Sequence, residues 1–136
     1  MESFFPKDNL LKAEWKTNRV LLSYWILVLF LLIMGSFMPL KAIVNHFILI
    51  DTLLHLILYF LLSFIPMILF KSRKTAFLLS IAMMPAGYLI EILHIVVTVE
   101  NFNAINALAN NTGVLAGIAT GFIVRLKRHY SHDAYT

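Results

Sequence analysis

The residues of this chain that could do chemistry are few, and their spacing lets them act together. Asp51, His55 and Tyr59 follow one another at four-residue steps. On a helix that places an acid, an imidazole and a phenol along one face. Further on, Glu91 and His94 are three apart, with Gly87 one turn before Glu91. Asn106 and Asn110 are again four apart, and Gly113, Gly117 and Gly121 continue their stripe. All of these residues lie in or beside long apolar runs. An ionisable side chain in a bilayer costs roughly 2.5–3.5 kcal/mol on insertion scales, so such residues turn to a bundle interior or a cavity and mark functional positions.

With Asp51 one turn away, His55 could serve as an oriented base, and a neutral Glu91 as an acid. His55, Asp51 and Glu91 are therefore the candidates for acid–base chemistry. No nucleophile stands beside them, because Ser63 and Ser80 fall toward the other half of their segments. His55, His94 and Glu91 have the ligand types that suit Zn²⁺. Their spacing matches no His-Glu-x-x-His pattern, so neither a metal nor another cofactor is expected. The chain has no Cys, which excludes disulfides, thiol catalysis and thiolate metal sites.

The elements that must position these groups follow from composition. Of 136 residues, 60% are hydrophobic and only 13% charged. That balance excludes an ordinary soluble domain and indicates a membrane protein. Residues 1–19 interleave Phe4, Phe5, Leu10, Leu11 and Trp15 with Lys7, Lys12, Lys16 and Arg19, as in a helix lying in the membrane interface or a frayed basic tail. Four apolar runs follow, at about 20–40, 47–70, 76–97 and 105–126. Each has roughly 20 residues, which at about 1.5 Å per residue spans a hydrocarbon core. Tyr24 and Trp25 fall where an aromatic belt forms. Residues 127–136 read as a short, polar, unstructured tail. The expected fold is all-α: an integral membrane, antiparallel four-helix bundle.

Ten of the eleven Lys and Arg residues lie before 20, at 71–74 or after 124, leaving only Lys41 in the other two connections. The positive-inside rule then puts both termini in the cytoplasm and the loops bearing Lys41 and Glu100 outside. The basic excess is thus topology and lipid contact, with no nucleic-acid partner implied. Counted in turns, Asp51, His55, Glu91, His94, Asn106 and Asn110 fall at similar depth in the outer leaflet. With Tyr59 they form either an expected polar pocket between helices or, for Asp51, His55 and Tyr59, an internal hydrogen-bond ladder that fixes helix packing. The glycines at 113, 117 and 121 make a Gly-x-x-x-Gly stripe that lets a neighbouring backbone come close, since packing drives helix association in lipid. Gly87 is assigned to packing as well. His46, His129 and His132 are loop and tail residues.

These residues resemble the VanZ-like family of small bacterial membrane proteins. Its pattern opens with Asp-Lys-x-x-His-x-x-x-Tyr at the start of a transmembrane helix, matched by Asp51, Thr52, His55 and Tyr59. It continues with Gly-x-x-x-Glu-x-x-Gln, matched by Gly87, Glu91 and His94. It closes with an Arg, an Asp six residues on, and Asn-x-x-Gly, where this chain has Glu100, Asn106, Asn110 and Gly113. Thr52, His94, Glu100 and Asn106 are departures, so the resemblance is to a divergent member, and it covers roughly residues 23–126. It implies a multi-pass protein of the bacterial cytoplasmic membrane, an accessory protein altering the cell envelope or its sensitivity to lipoglycopeptides such as teicoplanin. The implied partners are membrane lipids and a lipid-linked envelope precursor or the antibiotic itself. The enzymatic alternative is acid–base or metal-assisted chemistry on a lipid-linked envelope substrate.

Overall fold

The computed structural model describes residues 7–37, 48–99 and 101–133. Helices make up nearly all of them: α1 (Lys7–Phe37), α2 (Ile48–Leu69), α3 (Arg73–Ile81), α4 (Met83–Thr98) and α5 (Ala104–Asp133). Four segments are long and apolar enough to cross a membrane, at Asn18–Phe37, Ile50–Leu69, Arg73–Thr98 and Ala104–Ser131. The fold is the all-α membrane bundle that the apolar runs predict. α1 runs unbroken from Lys7 into the first span, so the basic N-terminal segment is helical and continuous with it from that residue on.

The third span is two helices, and Pro85 accounts for the break. Proline has no N–H for the carbonyl four residues earlier, here that of Ile81, and its ring crowds that carbonyl. The chain leaves α3 at Ile81, passes through Ala82 (φ −62°, ψ −18°) and enters α4 at Met83. Ala82 N–H still reaches Leu78 O at 3.0 Å and Ala86 N–H reaches Ala82 O at 3.2 Å, so the ladder is interrupted only locally.

Pro66 creates the same vacancy inside α2, at Leu62 O. Trp25 of α1 fills it: its indole N–H donates to Leu62 O at 2.8 Å. Trp25, expected in an aromatic belt, is thus a helix–helix link. Ser63 and Ser80 join α2 to α3 reciprocally, each hydroxyl donating to the other residue's carbonyl, at 2.6 Å from Ser80 and 3.4 Å from Ser63.

The closest contact in the bundle is between α2 and α5. A Cβ added at Gly113 would lie 2.5 Å from Leu56 O, and one at Gly117 would lie 2.5 Å from Phe60 O. At Gly121 it would run into the Met67 Cβ. Partners thus advance together along both chains, so α2 and α5 run in the same direction. Successive spans alternate, and the tightest pair is the parallel one. Arg125 extends the four-residue step past Gly121 and ends the stripe in charge. Its Nη1 donates to Met67 O and Phe70 O, both at 2.9 Å, and Nη2 to Lys71 O at 2.7 Å. These are carbonyls at the C-terminal end of α2, which have no partner within their own helix.

Tyr59, Leu62, Val114, Leu32 and Met83 form the buried core, with Trp25 packed against it. The large apolar residues that remain exposed, such as Phe30, Leu89 and Ile123, form the surface that lipid would cover. The tail expected to be unstructured after 126 is instead helical to Asp133. Lys127, Arg128 and His129 suit that position, since cations are favourable near a helix C-terminus.

Candidate functional site

The first turns of α2 carry Asp51, Thr52 and His55, and those of α5 carry Asn106 and Asn110. The parallel seam brings them to one level. Asn106 Nδ2 donates to Asp51 Oδ2 at 2.8 Å, and Thr52 Oγ1 donates to Asn106 Oδ1 at 3.0 Å. A carboxylate can only accept, so these contacts assign which end of the amide is which. One turn deeper, His55 Nδ1 lies 3.0 Å from Asn110 Oδ1. An amide oxygen only accepts, so in this arrangement the ring donates from Nδ1. His55 Nε2 lies 3.7 Å from Asp51 Oδ1, and Asp51 is the more open of the two: its side chain is 39% exposed against 17% for His55.

Tyr59 closes the bottom of this belt. Its ring stacks on His55 at a centroid distance of 6.3 Å and an interplanar angle of 15°. The residue is 1% exposed, and its hydroxyl has no hydrogen-bond partner among the described residues. A buried hydroxyl left unpaired costs about 1–3 kcal/mol. Gly87 gives the phenol its room, since a Cβ there would stand 3.0 Å from the hydroxyl.

Glu91, one turn beyond Gly87 on α4, is buried, and its Oε1 accepts Asn103 N–H at 3.1 Å. Asn103 Oδ1 in turn accepts from Ile105 N–H at 3.1 Å and Asn106 N–H at 3.2 Å. Asn103 is thus the N-cap of α5, and Glu91 sets its carboxylate against the positive end of that helix. The connection is short because α4 stops at Val99, which takes the left-handed conformation (φ 56°) usually left to glycine. Glu91 therefore joins the site by holding the helix that carries Asn106.

His94 takes a different direction. Its Nδ1 donates to Ser36 O on α1, while Ser36 Oγ donates to Leu32 O at 2.7 Å. It ties α4 to α1. Of the expected pocket residues, Asp51, His55, Asn106 and Asn110 are joined directly, Tyr59 lies beneath them and Glu91 beside them. His94 stands apart. Among the described residues no three His, Asp or Glu side chains come close enough to share a metal ion. Glu100 and His46 lie outside the described residues.

Thr52, Asn103, Trp25 and Arg125 are the polar contacts that sequence reading did not assign. Asn103 had a signal, an Asn just before an apolar helix. Arg125 had one too, four residues past Gly121. Thr52 had none, since its role depends on the facing amide.

Chemically, the belt can present a partly open carboxylate beside an imidazole whose far nitrogen is held by an amide. It can bind a polar group offered from the open end. Compared with known proteins, the chain matches no family model, no curated protein and no solved structure.

Proposed function

We propose that this chain is a divergent VanZ-like protein of the bacterial cytoplasmic membrane, with both termini in the cytoplasm. Its polar belt faces the outer leaflet and recognises an envelope component, a lipid-linked precursor or a lipoglycopeptide, and so alters the envelope's sensitivity. The observation that carries this reading is the belt itself: Asp51 bonded to Asn106 and His55 to Asn110 across the α2–α5 seam. These are positions of the VanZ-like pattern, drawn from two segments about 55 residues apart in sequence. Two of the four departures from that pattern fit one another. Where the pattern has Lys and Asp, this chain has Thr52 and Asn106, bonded to each other at 3.0 Å. A position pair that elsewhere carries opposite charges is here a neutral hydrogen bond.

The test is teicoplanin susceptibility in a Gram-positive host making this protein, beside His55→Ala and Asp51→Asn at equal abundance. Protection by the parent, lost in both variants, is expected. No protection by the parent overturns the reading. In the same cells a Cys placed at Asn101, in a chain that has no other, should react with a membrane-impermeant maleimide from outside.

A further inference from the structure

The opposite end of the bundle holds a second feature that the proposed function does not use. A cavity of about 220 Å³ opens between the end of α2, the start of α3 and the last turns of α5, lined by Met67, Arg73, Phe77, Phe122, Arg125 and Leu126. Its walls are apolar and aromatic, and two guanidinium groups stand among them.

The charge around it is one-sided. Arg73 and Lys74 occupy the first turn of α3, with no acidic residue there. A helix N-terminus is itself partly positive, so cations there are unfavourable by themselves. Ser72 caps this end through its side chain to Thr75 N–H, at 3.3 Å, and through its carbonyl to Ala76 N–H, at 3.0 Å. The N–H groups of Arg73 and Lys74 have no acceptor within the helix. Arg125 uses its guanidinium on the carbonyls of Met67, Phe70 and Lys71, which fixes it at the cavity wall without neutralising it. Asp51 and Glu91 belong to the other end, and among the described residues no carboxylate pairs with Arg73, Lys74 or Arg125. Phe77 and Phe122, about half exposed, carry the apolar wall out to the surface that faces lipid.

We propose that this cavity is a binding site for one anionic phospholipid, its phosphate at Arg73 and the N-terminus of α3, and an acyl chain against Phe77, Phe122 and Leu126. Charge surplus at headgroup level calls for an anion. The continuous apolar wall calls for that anion to carry a hydrocarbon chain. Basic pockets between transmembrane helices at the positively charged end take anionic headgroups for the same reason.

Native mass spectrometry of the purified full chain in neutral detergent tests this with three probes. They are a phosphatidylglycerol, the phosphatidylcholine of the same acyl chains, and glycerol phosphate. The phosphatidylglycerol should bind at least about tenfold more tightly than the phosphatidylcholine, and glycerol phosphate alone should not bind. Arg73→Gln removes a group that bonds to no side chain or backbone among the described residues and should weaken phosphatidylglycerol binding about fivefold. Leu126→Trp fills the cavity and should weaken it comparably, while Arg73 stays in place. Equal binding of the two lipids overturns the site, as does phosphatidylglycerol binding untouched by Arg73→Gln. Glycerol phosphate binding as tightly as the lipid would make it an anion site without an acyl chain and overturn the lipid assignment.

Discussion

α5 and α1 are both long apolar helices packed on α2, and they hold it by opposite means. The spanning part of α5 has 39% of its residues buried, and that of α1 has 6%. α5 brings glycines that touch the α2 backbone, asparagines that bond its acid and imidazole, and an arginine that caps its end. α1 brings one indole N–H to a carbonyl that Pro66 has freed, and its own Ser36 carbonyl takes a bond from His94. Lipid tails are as apolar as the helix surface, so hydrophobicity alone does not hold spans together. Close backbone approach and polar bonds do that, and α5 has both where α1 has only the second. The α2–α5 pair is therefore the rigid frame, and α1 is attached to it at points.

The contrast is broken most severely at Gly117. A methyl there meets Phe60 O and Phe64 N, which are backbone atoms and cannot turn aside. Gly117→Ala should cost about 3 kcal/mol, read from reversible unfolding in mixed micelles. Next comes Asn106→Ala, which removes both bonds of the amide and leaves Asp51 and Thr52 without it. A loss of about 2 kcal/mol in the same assay is expected. Trp25→Phe deletes the indole N–H and should cost about 1 kcal/mol. Pro66→Ala sharpens that figure, because it restores the N–H that Leu62 O lacks. In that background Trp25→Phe should cost no more than about 0.3 kcal/mol, and an undiminished cost would mean that indole packing carries the contact. The smallest effect is at Gly35, with nothing among the described residues within 4 Å of an added Cβ. Gly35→Ala should stay within about 0.5 kcal/mol of the parent, so two glycines of one chain would differ almost by the whole range.

Much of this arrangement was readable in the sequence because the governing rules are periodic. Four-residue steps put Asp51, His55 and Tyr59 on one face, aligned the asparagines above Gly113 and carried the glycine stripe down α5. Helix length placed the two polar sets at one level. What escaped was set by geometry between helices. His94 is one turn from Glu91 and bonds to Ser36 O on α1, and spacing along α4 carries no trace of Ser36. Trp25 looked like a belt residue because its bond depends on a proline in another helix. The proline does announce a vacant carbonyl at Leu62, but not which donor will reach it. The break at Ala82 shows the reverse case, in which Pro85 acts on its own helix and the sequence locates the disturbance to within one turn.

The link between Asp51 and Asn106 also sets a schedule for biogenesis. The two residues are 55 positions apart, and at roughly 5–20 residues per second the ribosome needs about 3–11 s to get from one to the other. For that interval α2 is already made, with its acid and imidazole lacking the asparagines that will cover them. α1 is available throughout, and Trp25 can join Leu62 as soon as Pro66 has emerged. The nascent pair α1–α2 is then a holding complex, and α5 arrives as the part that completes it. A chain stopped before Asn106 would leave Asp51 and Thr52 without the amide that joins them.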